Sequence, residues 1–189
     1  MSVLQDLSSE HAAFTRLIER LEASAAADEM TARRDIRPTI LILLSALDVH
    51  EEIEDAVFGD SSYAASKDAK LIIDRVERQH QTIADLRLAI LAAIGSSDAV
   101  GIQRLKSLVS RIASALRSHF KTEEELLWPH YEKFYGSLDE SRRRRIEERI
   151  KAVETDIAVN GAAISRNIEA RKHAPSRPNL ARLPSAELW

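Results

Sequence analysis

Apolar residues recur along this chain at steps of three and four, in five separate stretches, which is the period of amphipathic helices. Leu4, Leu7, Phe14, Ile18 and Leu21 share one stripe with His11, and the pattern stops at a polar turn near Asp28. A second stretch, from about Thr31 to Phe58, carries Ile36, Ile40, Leu43, Leu47, His50, Glu54 and Val57. Pro38 lies early in it and predicts a start or a kink there, and Gly59 predicts its end. The third, from about Ser66 to Ile94, carries Ile73, Val76, His80, Ile83, Arg87 and Ile90. Gly95 ends it, and Ser96, Ser97 and Asp98 offer caps to the next. The fourth runs to Leu127 with Leu105, Val109, Ile112, Leu116, His119, Glu123 and Leu126, and Pro129 is expected to close it. A fifth, from about Leu138 to Lys172, is more charged, with a sparse stripe of Ile146, Ile150, Val153, Ile157 and Ile164. Beyond His173, Pro175, Pro178 and Pro184 rule out one regular helix.

No stretch alternates as a strand does. The pattern therefore predicts an all-α chain: an up-down-up-down four-helix bundle, with an additional C-terminal helix and a tail. Residues 1–135 form the bundle domain in this reading, 136–172 a helix packed on it, and 173–189 a Pro-containing tail. Composition agrees. Gly and Pro number 5 each among 189 residues, well under the roughly 12% of average usage. Charged residues make up 30%, as in long helices.

The net charge of −3 gives no reason to expect nucleic acid or an anionic membrane as partner. The longest apolar run, Thr39 to Leu47, is too short to span a bilayer. The first residues contain no signal-peptide core. A soluble, cytoplasmic protein is expected. The chain has no cysteine, which excludes disulfides, thiolate zinc sites, cysteine-ligated iron–sulfur clusters and thiol nucleophiles.

The stripes repeat. His11 and His80, His50 and His119, and Glu54 and Glu123 are each 69 residues apart. The apolar positions keep that offset: Leu7 with Val76, Leu17 with Leu86, Leu21 with Ile90, Ile36 with Leu105, Ile40 with Val109, Leu43 with Ile112, Leu47 with Leu116 and Val57 with Leu126. Two helical hairpins thus carry one pattern, and an approximate two-fold axis would set equivalent positions face to face.

His50 and Glu54 lie one turn apart on the apolar stripe, about 6 Å along the helix, and His119 and Glu123 repeat them. His11 and His80 sit alone on the other two stripes. A single histidine on an apolar stripe is ordinarily a hydrogen-bonded core residue. Glu makes up 18 of the 189 residues, so one His–Glu pair at this spacing arises by chance about one time in ten. Two matched pairs and two matched histidines do not. Buried carboxylates need partners, and four imidazoles with two carboxylates suit a dinuclear metal site. Without thiolate, iron, manganese and zinc all fit. Glu54 and Glu123, one from each repeat, are placed to bridge two ions, and two histidines per ion leave coordination positions for small molecules.

The segments SSEHAAF, HEEIE, ERQHQTI and HFKTEEELLWP, taken together, resemble the hemerythrin-like, or HHE cation-binding, family over about Leu4 to Tyr131. The resemblance implies two non-haem iron ions inside the bundle, with manganese or zinc as substitutes. It makes His11, His50, His80 and His119 terminal ligands and Glu54 and Glu123 bridging ones. Glu51 is a weaker candidate, because a residue next to a ligand is turned about 100° away. Oxygen-carrying hemerythrins place a second histidine four residues after the third-helix histidine. Here that position is Ala84, which implies a more open site and argues against reversible oxygen storage.

The function expected is binding of, or reaction with, a small oxidant: dioxygen, peroxide or nitric oxide. If the chain is an enzyme, the resemblance implies a peroxide- or oxygen-reducing activity. A non-enzymatic oxygen, iron or redox sensor or a metal store is the alternative, with a protein partner reached through the fifth helix or tail. A purely structural bundle with buried His–Glu hydrogen bonds is the third reading. Phe14, Phe58 and Phe120 are expected to pack the core and could wall off the site. His130 and His173 are expected to be surface or boundary residues, and the basic run Arg142–Arg145 a solvated helix face. Leu180, Leu183, Leu188 and Trp189 in the tail are candidates for docking on the bundle or on a partner.

Overall fold

A computed structural model describes residues 2–60, 63, 65–95 and 98–172. The helices are α1 (Ser2–Ala26), α2 (Glu29–Phe58), α3 (Lys67–Ile94), α4 (Ala99–Thr122), α5 (Trp128–Ser137) and α6 (Glu140–Lys172). A π-helical turn, Glu123–Leu127, joins α4 to α5. No strand occurs among the described residues. None of the helices described is long and apolar enough to cross a membrane. The predicted His173, Leu180, Leu183, Leu188 and Trp189, and the side chain of Ile164, lie outside the described residues.

Local chemistry sets most of the boundaries. The Asp28 carboxylate accepts from the backbone N–H of Met30 and Thr31 and starts α2. Asp98 does the same for α4 through Gly101, at 2.7 Å. Such caps satisfy donors that a helix start leaves orphaned. Gly59 closes α2, and Gly95 closes α3. Pro38 lies within α2. Its ring removes a bond to the Arg34 carbonyl, on a face where both residues are exposed to water.

Pro129 does not end the fourth helix, contrary to the sequence pattern. The π-helical turn comes first, with the Trp128 N–H bonding five residues back to the Glu123 carbonyl. Pro129 then falls in the first turn of α5, where a missing N–H costs nothing. The extra residue in the turn also shifts the phase of everything after it. Leu126, expected inward as the repeat of Val57, is 40% exposed, and Leu127 is buried in its place.

The chain divides into two compact units, Met1–Val153 and Glu154–Trp189. In the first, α1 packs on α2, α3 on α4, and α4 on α1. Arg149 fixes the start of α6 to the bundle by donating to the Ala56 carbonyl at 2.6 Å, while Ile146 and Ile150 are buried. The core has two clusters. One gathers Phe14, Ile18, Leu47, Ile83, Leu116 and Phe120 with their neighbours, and the other gathers Leu7, Val57, Val76, Leu127, Trp128 and Tyr131. On α1, α2 and α3 the histidine falls between a member of one cluster and a member of the other, and His119 on α4 lies between Leu116 of the first cluster and, past the π-helical turn, Leu127 of the second. The polar residues therefore form a layer across the middle of the core. In the second unit the described chain continues as helix to Lys172, with Ile157 half-buried.

Candidate metal centre

The structure brings all six predicted residues together. His11, His50, Glu54 and Glu123 form one group, and Glu54, His80, His119 and Glu123 form a second, each with its ligand atoms within 4.8 Å of one another. Both carboxylates belong to both groups. Glu54 turns Oε1 to His50 Nε2 at 3.2 Å and Oε2 to His80 Nε2 at 3.5 Å. Glu123 turns Oε2 to His11 Nε2 at 3.3 Å and Oε1 to His119 Nε2 at 3.2 Å. Across each histidine pair the Nε2 atoms stand 3.1 Å apart, His11 to His50, and 3.2 Å apart, His80 to His119. All of these side chains are buried except His80, which is 29% exposed.

The electrostatics of this layer are unbalanced. All four oxygens of Glu54 and Glu123 are buried without a hydrogen-bond donor. Burial, helped by His50, lowers His11 to about 3. Burial also lowers His119 to about 3. Burial opposes the charge of His50 too, but the bond to Glu10 and the adjacent Glu54 carboxylate overrule it and raise its pKa to about 9. His80 is raised against its burial by Glu54. Burial works to raise Glu54, yet the His50 and His80 contacts hold it below the ordinary carboxylate range. Burial and the neighbouring Glu54 push Glu123 well above that range. Two carboxylates at one site cannot both ionise cheaply. Imidazole nitrogens and carboxylate oxygens that converge without donors are the donor set of a cation site, so these residues fit a pair of metal ions.

Two carboxylates absent from the sequence expectation complete the surroundings. The His11 Nδ1–H donates to Glu124 Oε1 at 2.9 Å, and the His50 Nδ1–H to Glu10 Oε2 at 2.7 Å. Each bond fixes a ring and aims its Nε2 at the centre. Glu10 was hidden because it serves the histidine of the next helix and not its own neighbour. Glu124 was hidden because only the π-helical turn brings two successive acids to the site.

Glu51 is not in either group. It pairs with Arg87 at 3.2 Å, half-buried between α2 and α3. Ala84 is exposed on α3. Phe120 stacks on His11 with centroids 4.1 Å apart, Trp128 stacks on His11 at 4.9 Å, and Phe14 meets His50 edge-on at 5.1 Å. Phe58 instead lines a cavity of about 160 Å³ that reaches Glu54, His80 and Glu123. His130 sits at the boundary, its Nδ1 3.2 Å from the Tyr63 hydroxyl. Of the basic run, Arg142 reaches Asp139 and Arg145 the Ser141 hydroxyl from exposed positions, while the half-buried Arg143 donates to the Gly136 carbonyl.

No curated protein and no solved structure matches the chain. The family model for the hemerythrin HHE cation-binding domain matches residues 71–174, more than half of it. The matched stretch contains His80, His119 and Glu123, and the 69-residue repeat supplies their partners from α1 and α2. On that match, and with two histidine pairs sharing two carboxylates inside a helical bundle, the chain belongs to the hemerythrin HHE cation-binding family.

Proposed function

We propose that the protein holds two non-haem iron ions, one between His11 and His50 and one between His80 and His119, with Glu54 and Glu123 shared between them. In this reading it binds or reacts with a small oxidant: dioxygen, peroxide or nitric oxide. One observation carries the proposal. Each of the two carboxylates presents one oxygen to each histidine pair, which is what bridging requires and what a structural His–Glu bond does not. An iron pair supplies electrons and Lewis acidity to a bound oxidant.

The protein's own residues do the rest. Glu10 and Glu124 orient His50 and His11. Phe14, Phe120 and Trp128 exclude water from their side of the centre. The cavity is a few water molecules in size and has apolar walls in Phe58, Ile73, Val76 and Leu127. It has room for a diatomic or peroxide beside the shared carboxylates. Asp55 and Glu77 on the same wall disfavour anions and favour neutral molecules.

The test is anaerobic reconstitution with ferrous iron, metal analysis, and stopped-flow absorbance on mixing with dioxygen, then purging with argon. The expected result is two iron ions per chain and a fast change that purging does not reverse. Fewer than two ions, or no change on mixing with any of the three oxidants, overturns the reading.

A further inference from the structure

We propose that α5 is a path for single electrons between the metal centre and the surface: Trp128 and Tyr131 relay them, and Tyr135 is the surface residue that gives them up. The inference takes its oxidant from the iron pair proposed above, but the path itself belongs to the side chains of α5.

Trp128, Tyr131 and Tyr135 stand at steps of three and four along α5, so one face of the helix carries all three rings. The row begins at the centre, where Trp128 stacks on His11 with centroids 4.9 Å apart. Trp128 and Tyr131 are one turn apart in the same buried cluster. The Tyr131 ring then lies 6.3 Å from that of Tyr135, which is half-buried.

Packing alone does not account for these residues. Trp128 Nε1 and the Tyr131 hydroxyl are both buried without a partner, a cost that leucine or phenylalanine would avoid. With no proton acceptor, each can pass an electron vacancy on and cannot keep it. Tyr135 differs. Its hydroxyl donates to Glu147 Oε1 at 2.6 Å, and burial with this bond raises its pKa to about 12, so the phenol is protonated at neutral pH. Arg143 lies over the ring, 5.9 Å from its centroid, and disfavours a cationic ring. An electron therefore leaves Tyr135 together with its proton, which Glu147 takes. Tyr63 also meets Tyr131, at 5.0 Å, with His130 beside its hydroxyl, but it is 0% exposed and is no exit to solution.

The oxidant is peroxide, whose reduction to two water molecules takes two electrons and two protons. Where the pair holds one ferrous ion, that ion supplies one electron and becomes ferric, and Tyr135 supplies the other through Tyr131 and Trp128. Two protons come from solvent, the phenolic proton passes to Glu147, and a neutral tyrosyl radical is left on Tyr135. The oxidising equivalent is thereby led away from the histidine ligands.

The experiment has two arms. In the first, metal-free protein carrying Trp189→Phe, whose one tryptophan is Trp128, is oxidised by azidyl radicals in pulse radiolysis. The tryptophan radical should convert to a tyrosyl radical at a rate independent of protein concentration, and Tyr131→Phe should slow that conversion. In the second, iron-loaded protein reduced to one ferrous ion per pair is mixed with hydrogen peroxide, frozen and read by electron paramagnetic resonance. Wild type should give a tyrosyl signal that Tyr135→Phe loses, Tyr63→Phe keeps and Glu147→Gln weakens. The tyrosine variants remove a hydroxyl and leave the ring in place, and Glu147 is exposed, so the fold is kept. A tryptophan radical that does not convert, or converts as fast in Tyr131→Phe as in wild type, overturns the relay. Full signal from Tyr135→Phe, or its loss in Tyr63→Phe, overturns the exit. Conversion without metal but no signal after peroxide overturns delivery from the centre. Failure to take up iron overturns the paired centre instead, and the first arm still decides the path.

Discussion

Replacing Glu123 with leucine is expected to stabilise the metal-free protein and to abolish its response to metal. The side chain is 0% exposed, neither oxygen has a donor, and burial with the nearby Glu54 raises its carboxyl well above the ordinary range. A buried polar group without a partner costs about 1–3 kcal/mol. Leucine fills a similar space with no polar atom. The imidazoles nearest to Glu123, His11 and His119, are held neutral by burial, at about 3, so the substitution leaves no buried cation unpaired. A gain of about 2 kcal/mol corresponds to about 4–8 °C in melting temperature for a chain of this size. Metal acts in the opposite sense: at a hundredfold excess over its Kd it adds about 2.7 kcal/mol, and only where the donor set is complete. The melting order should be metal-loaded wild type, then metal-free variant, then metal-free wild type. Far-ultraviolet circular dichroism on heating, with and without zinc, reads all three. A metal-free variant that melts below metal-free wild type, or one that gains as much from zinc as wild type does, would refute the reasoning.

Three other outcomes are expected. Alanine at Glu54 or at Glu123 should lower the metal content at both positions, whereas His11→Ala should lower it mainly at one; a Glu54→Ala protein that keeps two ions per chain would show that Glu54 does not bridge. Metal uptake at neutral pH should expel a proton from His50, whose pKa, opposed by burial, is raised to about 9 by Glu10 and Glu54. The imidazole is protonated below that value and must be neutral to ligate, so affinity should climb as pH rises and level off above about 9; calorimetry in buffers of different ionisation enthalpy that finds no proton release at pH 7 would count against it. Arg149→Ala should strip the donor from the Ala56 carbonyl at the end of α2 and cost about 1–2 kcal/mol, seen as a lower urea midpoint with unchanged slope; an unchanged midpoint would mean that this contact does not hold α6 in place.

The sequence determined by itself whatever depends on near neighbours along the chain. Asp28, Gly59, Gly95 and Asp98 mark helix ends because capping is settled within a turn. The gathering of His11, His50, Glu54, His80, His119 and Glu123 was legible because each His–Glu pair spans one turn and the 69-residue repeat doubles it. Only the tertiary structure decided what depends on how one helix meets another. The π-helical turn lets Pro129 stay helical and exchanges Leu126 for Leu127 in the core, a slip of one residue that helical period cannot foresee. Glu10 reaches His50 on the next helix, and Glu124 reaches His11 across 113 residues of sequence. Glu51, beside a histidine in sequence, goes to Arg87 instead. Which half of the centre is sealed by aromatic rings, and which opens to a cavity, follows from that packing. A repeat in sequence sets equal spacings on two hairpins, but the neighbours around each site are chosen by contacts between helices, where the two halves have diverged.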